Sequence, residues 1–131
     1  MKIALDSSAI VAIALEEAEH SDFSALIARH EALVGTPTIF ETYLVLEQRN
    51  PVAGVDFLNA FIRRPSVHPV AFTLEMYRHA QEAFENFGKG KGHPAKLNFG
   101  DCMSYAVAKF HDVPLLFKGD DFRLTDVRAA L

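Results

Sequence analysis

The chain has one cysteine, Cys102, in 131 residues, so an internal disulfide framework is excluded. That usage suits a reducing compartment, and a cytoplasmic location is expected. Long apolar runs are missing too. Crossing a bilayer takes about 20 apolar residues. The longest run here, Ala9-Ile10-Val11-Ala12-Ile13-Ala14-Leu15, is far shorter and follows Asp6 rather than a basic leader. It reads as neither a membrane span nor a secretory signal. No Cys/His cluster has zinc spacing, no glycine-rich stretch has P-loop spacing, and the six histidines form no Ser-His-Asp grouping. Positive charge is also scarce. The net charge of −4 argues against a non-specific nucleic-acid binder, unless bound cations reverse the local sign.

What is present is an ordinary globular composition, 50% hydrophobic and 23% charged, of a length that fits one domain over residues 1–131. Short β-like runs alternate with longer helical patterns, the signature of an α/β domain with a parallel sheet. Lys2-Ile3-Ala4-Leu5 is a strand, followed by a largely buried helix over 8–17 and a second helix over about 22–30. Ala32-Leu33-Val34-Gly35 is the next strand, and Thr36-Pro37-Thr38 opens a helix that Asn50-Pro51 breaks. Phe57, Leu58, Phe61 and Ile62 stripe the helix after it. Residues 67–70 form a weak strand that His68-Pro69 sends to a sheet edge. Met76, Ala80, Ala83 and Phe87 mark another helix, and 88–98 is a Gly/Lys-rich loop. Met103, Ala106, Val107 and Phe110 give the clearest helical stripe, and the apolar Leu115-Leu116-Phe117 suits a sheet interior.

Against this frame, separated acids share one address. Asp6 ends the first strand, Asp120 and Asp121 follow the last, and Glu41 and Asp101 lie at helix starts. In an open parallel sheet, strand ends and helix starts meet at the carboxyl edge. Acids gathered there repel one another unless a cation sits between them. Each has a plainer reading. Asp6 with Ser7 and Ser8 can cap a helix, and Thr38-Ile39-Phe40-Glu41 fits a capping box. Asp101 suits a helix dipole, and a Gly-Asp turn needs no further purpose. Taken together they favour a divalent-metal site. Magnesium accepts oxygen ligands, keeps several waters and needs only a few carboxylates plus substrate phosphate.

The loop Gly88-Lys89-Gly90-Lys91-Gly92-His93-Pro94-Ala95-Lys96 concentrates positive charge and runs directly into Asp101. Lys89, Lys91, His93 and Lys96, with Ser8, are the candidate substrate contacts, since lysines that neutralise phosphates give sequence-independent affinity.

Leu97-Asn98-Phe99-Gly100-Asp101-Cys102, Tyr105-Ala106, Pro114-Leu115-Leu116-Phe117-Lys118-Gly119-Asp120-Asp121-Phe122 and Thr125-Asp126 strongly resemble the VapC toxins. These are the PIN-domain ribonucleases of type II toxin–antitoxin pairs. Asp6-Ser7-Ser8-Ala9 and Glu41 with Val45 resemble the same family. The resemblance implies a three-layer α/β/α fold around a mostly parallel sheet of four to five strands. It also implies Mg2+ or Mn2+ dependence, RNA cleavage, a VapB-type antitoxin partner and a homodimer. Carried over, Asp6, Glu41 and Asp101 are the family's first three acids. Asp121 is the preferred fourth, with Asp120 still open. Metal-activated water attacking the phosphodiester would leave a 5′-phosphate and a 3′-hydroxyl.

Two rivals remain. A receiver-like phosphoacceptor domain would use Lys118 and an aspartate at a middle strand end, for which Asp56 is the nearest candidate. A non-catalytic PIN-like protein would bind a partner through apolar surface around Phe57, Phe61 and the first two helices.

Overall fold

The computed structural model describes all 131 residues. In chain order it runs β1 (Lys2–Leu5), α1 (Ser7–Ala14), α2 (His20–Ala28), β2 (Glu31–Gly35), α3 (Thr36–Arg49) and α4 (Pro51–Phe61). Then follow β3 (Val67–Val70), α5 (Leu74–Phe87), α6 (Phe99–His111), β4 (Leu115–Leu116) and a 3-10 turn over Asp121–Leu124. The strands lie in the order β3-β2-β1-β4, and every pairing is parallel.

Strand periodicity of two divides the core into two layers. Ile3, Leu5, Ala32, Val34 and Leu116 face one side, against Ile10, Phe23, Leu46, Leu58 and Phe61 from α1 to α4. Ala4, Leu33 and Leu115 face the other, against Met76, Ala80, Tyr105, Ala106 and Val107 from α5 and α6. The result is the expected three-layer α/β/α sandwich. From β1 the chain steps outward through β2 to β3 and then returns to β4 on β1's other side. The order therefore reverses beside the carboxyl end of β1, where such sheets open a crevice.

Four local expectations are corrected. β4 is an edge of the four-strand ladder rather than its interior. It stays apolar because the C-terminal tail covers it: the Leu115 N–H donates to the Arg128 carbonyl (2.8 Å), and the Ala130 N–H donates to that of Leu115 (2.9 Å). Helix α1 ends at Ala14, short of residue 17, with Glu16 in the left-handed region at φ 52°. Helix α6 is buried more widely than a single stripe, because it packs against the sheet, α3 and α5. Cys102, Ser104, Tyr105 and Ala108 are buried, whereas Phe110 is 42% exposed. Finally, Phe61 is fully buried and offers no partner surface, while Phe57 is partly buried against the core and leaves only part of its ring accessible. The exposed aromatics are instead Phe40, Tyr43, Tyr77, Phe84, Phe99 and Phe110. Asp56 lies inside α4, away from any strand end, which removes the phosphoacceptor that a receiver domain requires.

Candidate active site

Asp6 is the first residue beyond β1, and its N–H donates to the Leu116 carbonyl at 3.0 Å, tying it to the end of β4. It is also the N-cap of α1, so the capping reading and the site reading coincide. Its carboxylate is buried and accepts three hydrogen bonds. Oδ2 takes the Ser8 N–H (3.1 Å) and the Ser8 hydroxyl (2.6 Å), and Oδ1 takes the Ser104 hydroxyl (2.6 Å). Ser8 in turn accepts the Lys118 N–H at 3.0 Å. Its one proton points at Asp6, so here it orients that carboxylate rather than offering a donor to substrate.

Glu41 does not close a capping box. Helix α3 starts from Gly35 without a side-chain cap, and Thr38 is buried inside the helix. Instead, Glu41 Oε1 is buried with no hydrogen-bond partner. Burial chiefly, and the Asp6 charge in addition, raise the Glu41 pKa, while the Ser7 hydroxyl pulls it the other way.

Asp101 does form a capping box. It accepts the Asn98 N–H (3.0 Å), and its own N–H donates to the Asn98 side chain (2.9 Å). Even so, its pKa is pushed up to about 6, first by burial and then by the charges of Asp6, Asp121 and Glu41, which outweigh the Asn98 hydrogen bond. A shift from several directions at once is what converging carboxylates produce. Of the two C-terminal candidates, Asp121 is the one whose charge reaches Asp101. Asp120 turns toward a cleft of about 370 Å³ shared with Glu19, Lys118 and Arg123.

The structure thus brings Asp6, Glu41, Asp101 and Asp121 to the crevice where the strand order reverses. No three of them already surround one point as a finished metal cage. Mg2+ usually keeps several waters and needs only one or two protein carboxylates. The donor set fits such an ion. It is all carboxylate oxygen, it includes the orphaned Glu41 Oε1, and burial together with neighbouring acids raises the Glu41 and Asp101 pKa values.

The basic loop is better anchored than its glycines suggest. Lys89 N–H donates to the Leu97 carbonyl and Leu97 N–H to that of Phe87, both at 2.9 Å, while Ala95 and Leu97 are fully buried. His93 serves this anchoring: its Nδ1 accepts the Ala95 N–H (3.0 Å), and its ring meets Phe87 edge-on. Lys89, Lys91 and Lys96 are exposed and make no ion pair; Lys91 lies over the Phe84 ring at 5.5 Å.

Sequence reasoning passed over two features. Ser104 lies one helical turn after Asp101, so spacing places both on one face of α6. Gly100 sits in the first turn of α6 outside the left-handed region, where glycine is a poor choice. A Cβ there would run into the Glu41 carboxylate, which accounts for the glycine.

The family described as PIN domain matches residues 3–128. Ribonuclease VapC30 of Mycobacterium tuberculosis is 40% identical over 124 residues, covering 94% of each chain. The chain belongs to the VapC ribonucleases of the PIN-domain family. Ribonuclease VapC of Mycolicibacterium smegmatis is also 40% identical, over 126 residues, covering 95% of this chain and 97% of that one. Among solved structures, M. tuberculosis VapC20, described as a sarcin-ricin loop cleaving toxin, superposes with a TM-score of 0.78 at 19% identity over 95% of both chains. VapBC2 of Rickettsia felis, bound to a DNA fragment from its promoter, gives 0.77 at 13% identity over 98% of this chain and 97% of that one. The PIN fold is therefore shared across the whole length of this chain. The acids of this VapC chain stand where its three-layer fold opens. No helix is long and apolar enough to cross a membrane.

Proposed function

We propose that this VapC chain is the toxin of a VapB–VapC pair, a Mg2+- or Mn2+-dependent endoribonuclease. The observation that carries the reading is the convergence of Asp6, Glu41, Asp101 and Asp121 on the crevice beside β1. Asp6 and Asp101 would hold the principal ion, with Glu41 and Asp121 completing the site. A bound divalent ion would supply a polarised water and neutralise charge on the phosphodiester during displacement. The chain supplies the rest. Asp6 is held rigid by Ser8 and Ser104, Asp101 is fixed by its cap to Asn98, and Glu41 is kept partly out of water.

Purified protein incubated with RNA should cut it internally when Mg2+ or Mn2+ is added and stop in excess EDTA, leaving 5′-phosphate ends. Undiminished cutting in EDTA, or cyclic phosphate ends, would reject the metal-dependent mechanism. A folded protein with no cleavage under any ion would favour the non-catalytic partner-binding reading.

Affinity for RNA is assigned to the exposed lysines. Replacing Lys89, Lys91 and Lys96 together by alanine should weaken binding at low salt and flatten the log–log salt slope by about 2, at roughly 0.7 per single-strand phosphate contact. An unchanged slope would make the loop bystander surface. A VapB-type antitoxin and a homodimer are the proposed partners. The antitoxin is supported by the likeness to the R. felis complex and to a toxin–antitoxin complex from Klebsiella pneumoniae, TM-score 0.64 at 13% identity over 92% of this chain and 89% of that one. Co-expression with the adjacent reading frame and size-exclusion chromatography test both.

A further inference from the structure

We propose that Ser104 and Thr38 form a buried hydroxyl relay that positions the Asp6 carboxylate for a cation and fixes the spacing of the three elements carrying Asp6, Glu41 and Asp101. This rests on the acids being a cation site.

Both hydroxyl residues are 1% exposed, a rare environment for polar side chains, so their partners matter. A serine hydroxyl has one proton, and Ser104 gives it to Asp6 Oδ1 at 2.6 Å. The Thr38 hydroxyl, 3.3 Å from the Ser104 oxygen, must then be the donor in that second contact. The Thr42 hydroxyl closes the chain from below by donating to the Thr38 carbonyl at 2.8 Å. The relay therefore joins the end of β1, the middle of α6 and the first turns of α3. Ser104 lies three residues after Asp101 and Thr38 three before Glu41, one helical turn in each case. Fixing these hydroxyls fixes where both acids leave their helices.

The relay also decides which oxygen of Asp6 remains open. A carboxylate has about four lone-pair directions, two per oxygen. Ser8 fills both on Oδ2 with its N–H and its hydroxyl, whereas Ser104 fills only one on Oδ1. The remaining direction on Oδ1 is the one left for a cation, and the Ser104 hydrogen bond sets its aim. Groups that orient a ligand in this way change metal affinity or activity by about 10–100-fold when removed.

The test uses the full-length chain and Mn2+ alone, with binding read by electron paramagnetic resonance in the absence of RNA. Ser104→Ala should weaken Mn2+ binding about 10–100-fold. Thr38→Val, which removes only the longer contact, should weaken it several-fold. In cleavage assays, half-saturating Mn2+ should rise by the same factors while kcat at saturating Mn2+ recovers toward wild type, a split that a purely structural role does not give. Melting curves establish that each variant is folded. If Ser104→Ala is not, Thr38→Val carries the test. Wild-type Mn2+ affinity in a folded variant, or activity lost equally at every Mn2+ concentration, overturns the relay. Absence of Mn2+ binding in the wild-type chain instead overturns the cation site itself, and is seen before any variant is compared.

Discussion

Asp6→Asn and Asp101→Asn should each lower RNA cleavage by on the order of 10²–10³ or more, the scale on which single charge-stabilising groups act, and neither should unfold the chain. Asn at position 6 can keep an oxygen toward the two Ser8 donors and turn its amide nitrogen to Ser104, whose hydroxyl oxygen can accept. Asn at position 101 keeps an oxygen for the Asn98 N–H, so the α6 cap survives. What both lose is negative charge.

The stability of Asp101→Asn has a definite sign. The folded carboxyl titrates near 6, against 3.8 for an ordinary aspartate. Between those values the folded chain binds more protons than the unfolded one, so stability falls as pH rises through this window and stays reduced above it. Asn does not titrate. Without metal, the variant should therefore melt above wild type at pH 8 and level with it near pH 4. Because the carboxyl is only partly buried, solvent screening reduces the gain to on the order of 1 kcal/mol, a few degrees for this chain length. Adding Mn2+ should raise the wild-type melting temperature at pH 8 and leave the variant's nearly unmoved. A variant that melts below wild type at pH 8 would mean that the carboxylate is already compensated, and the crowded-acid reading would fall.

How far the sequence discloses this site depends on what kind of periodicity each residue obeys. Asp6 and Asp101 are legible because a strand end and a helix start in a parallel α/β pattern have only one edge to share. The two core layers are legible for a similar reason, since Ile3/Ala4/Leu5 and Ala32/Leu33/Val34 alternate. Asp120 and Asp121 are not distinguishable by pattern: they follow Gly119, with φ of 100°, and the direction each side chain takes is set by that turn. Glu41 carries a capping-box spacing that only the true helix start, with Gly35 as N-cap two residues before Pro37, sets aside. Ser104 and Thr38 stay hidden because a hydroxyl on a helix reads as surface until a second helix covers it. Phe57 and Phe61 mislead in the opposite way: an amphipathic stripe says that a face is covered, not whether the cover is the chain's own core or a partner.

Gly100→Ala should reduce cleavage about 100-fold without weakening the fold, because one added methyl displaces Glu41. On helix propensity alone the change is favourable by about 1 kcal/mol. The obstacle is local. A Cβ at position 100 would lie 2.5 Å from the Glu41 carboxyl carbon and 2.7 Å from Oε1, with Oε2 nearer still. These atoms end a flexible side chain, so Glu41 can swing away while α3 and α6 keep their packing. The melting temperature should hold or rise, and activity should fall to about the level of Glu41→Ala. A double-mutant cycle isolates the cause. If Gly100 matters only by leaving room for that carboxylate, Gly100→Ala should cost nothing further once Glu41 is alanine, and the two losses should be strongly non-additive. Additive losses would show that Gly100 serves the site in some way other than through Glu41. A fully active Gly100→Ala protein would show that the Glu41 carboxylate is not needed where the fold has put it.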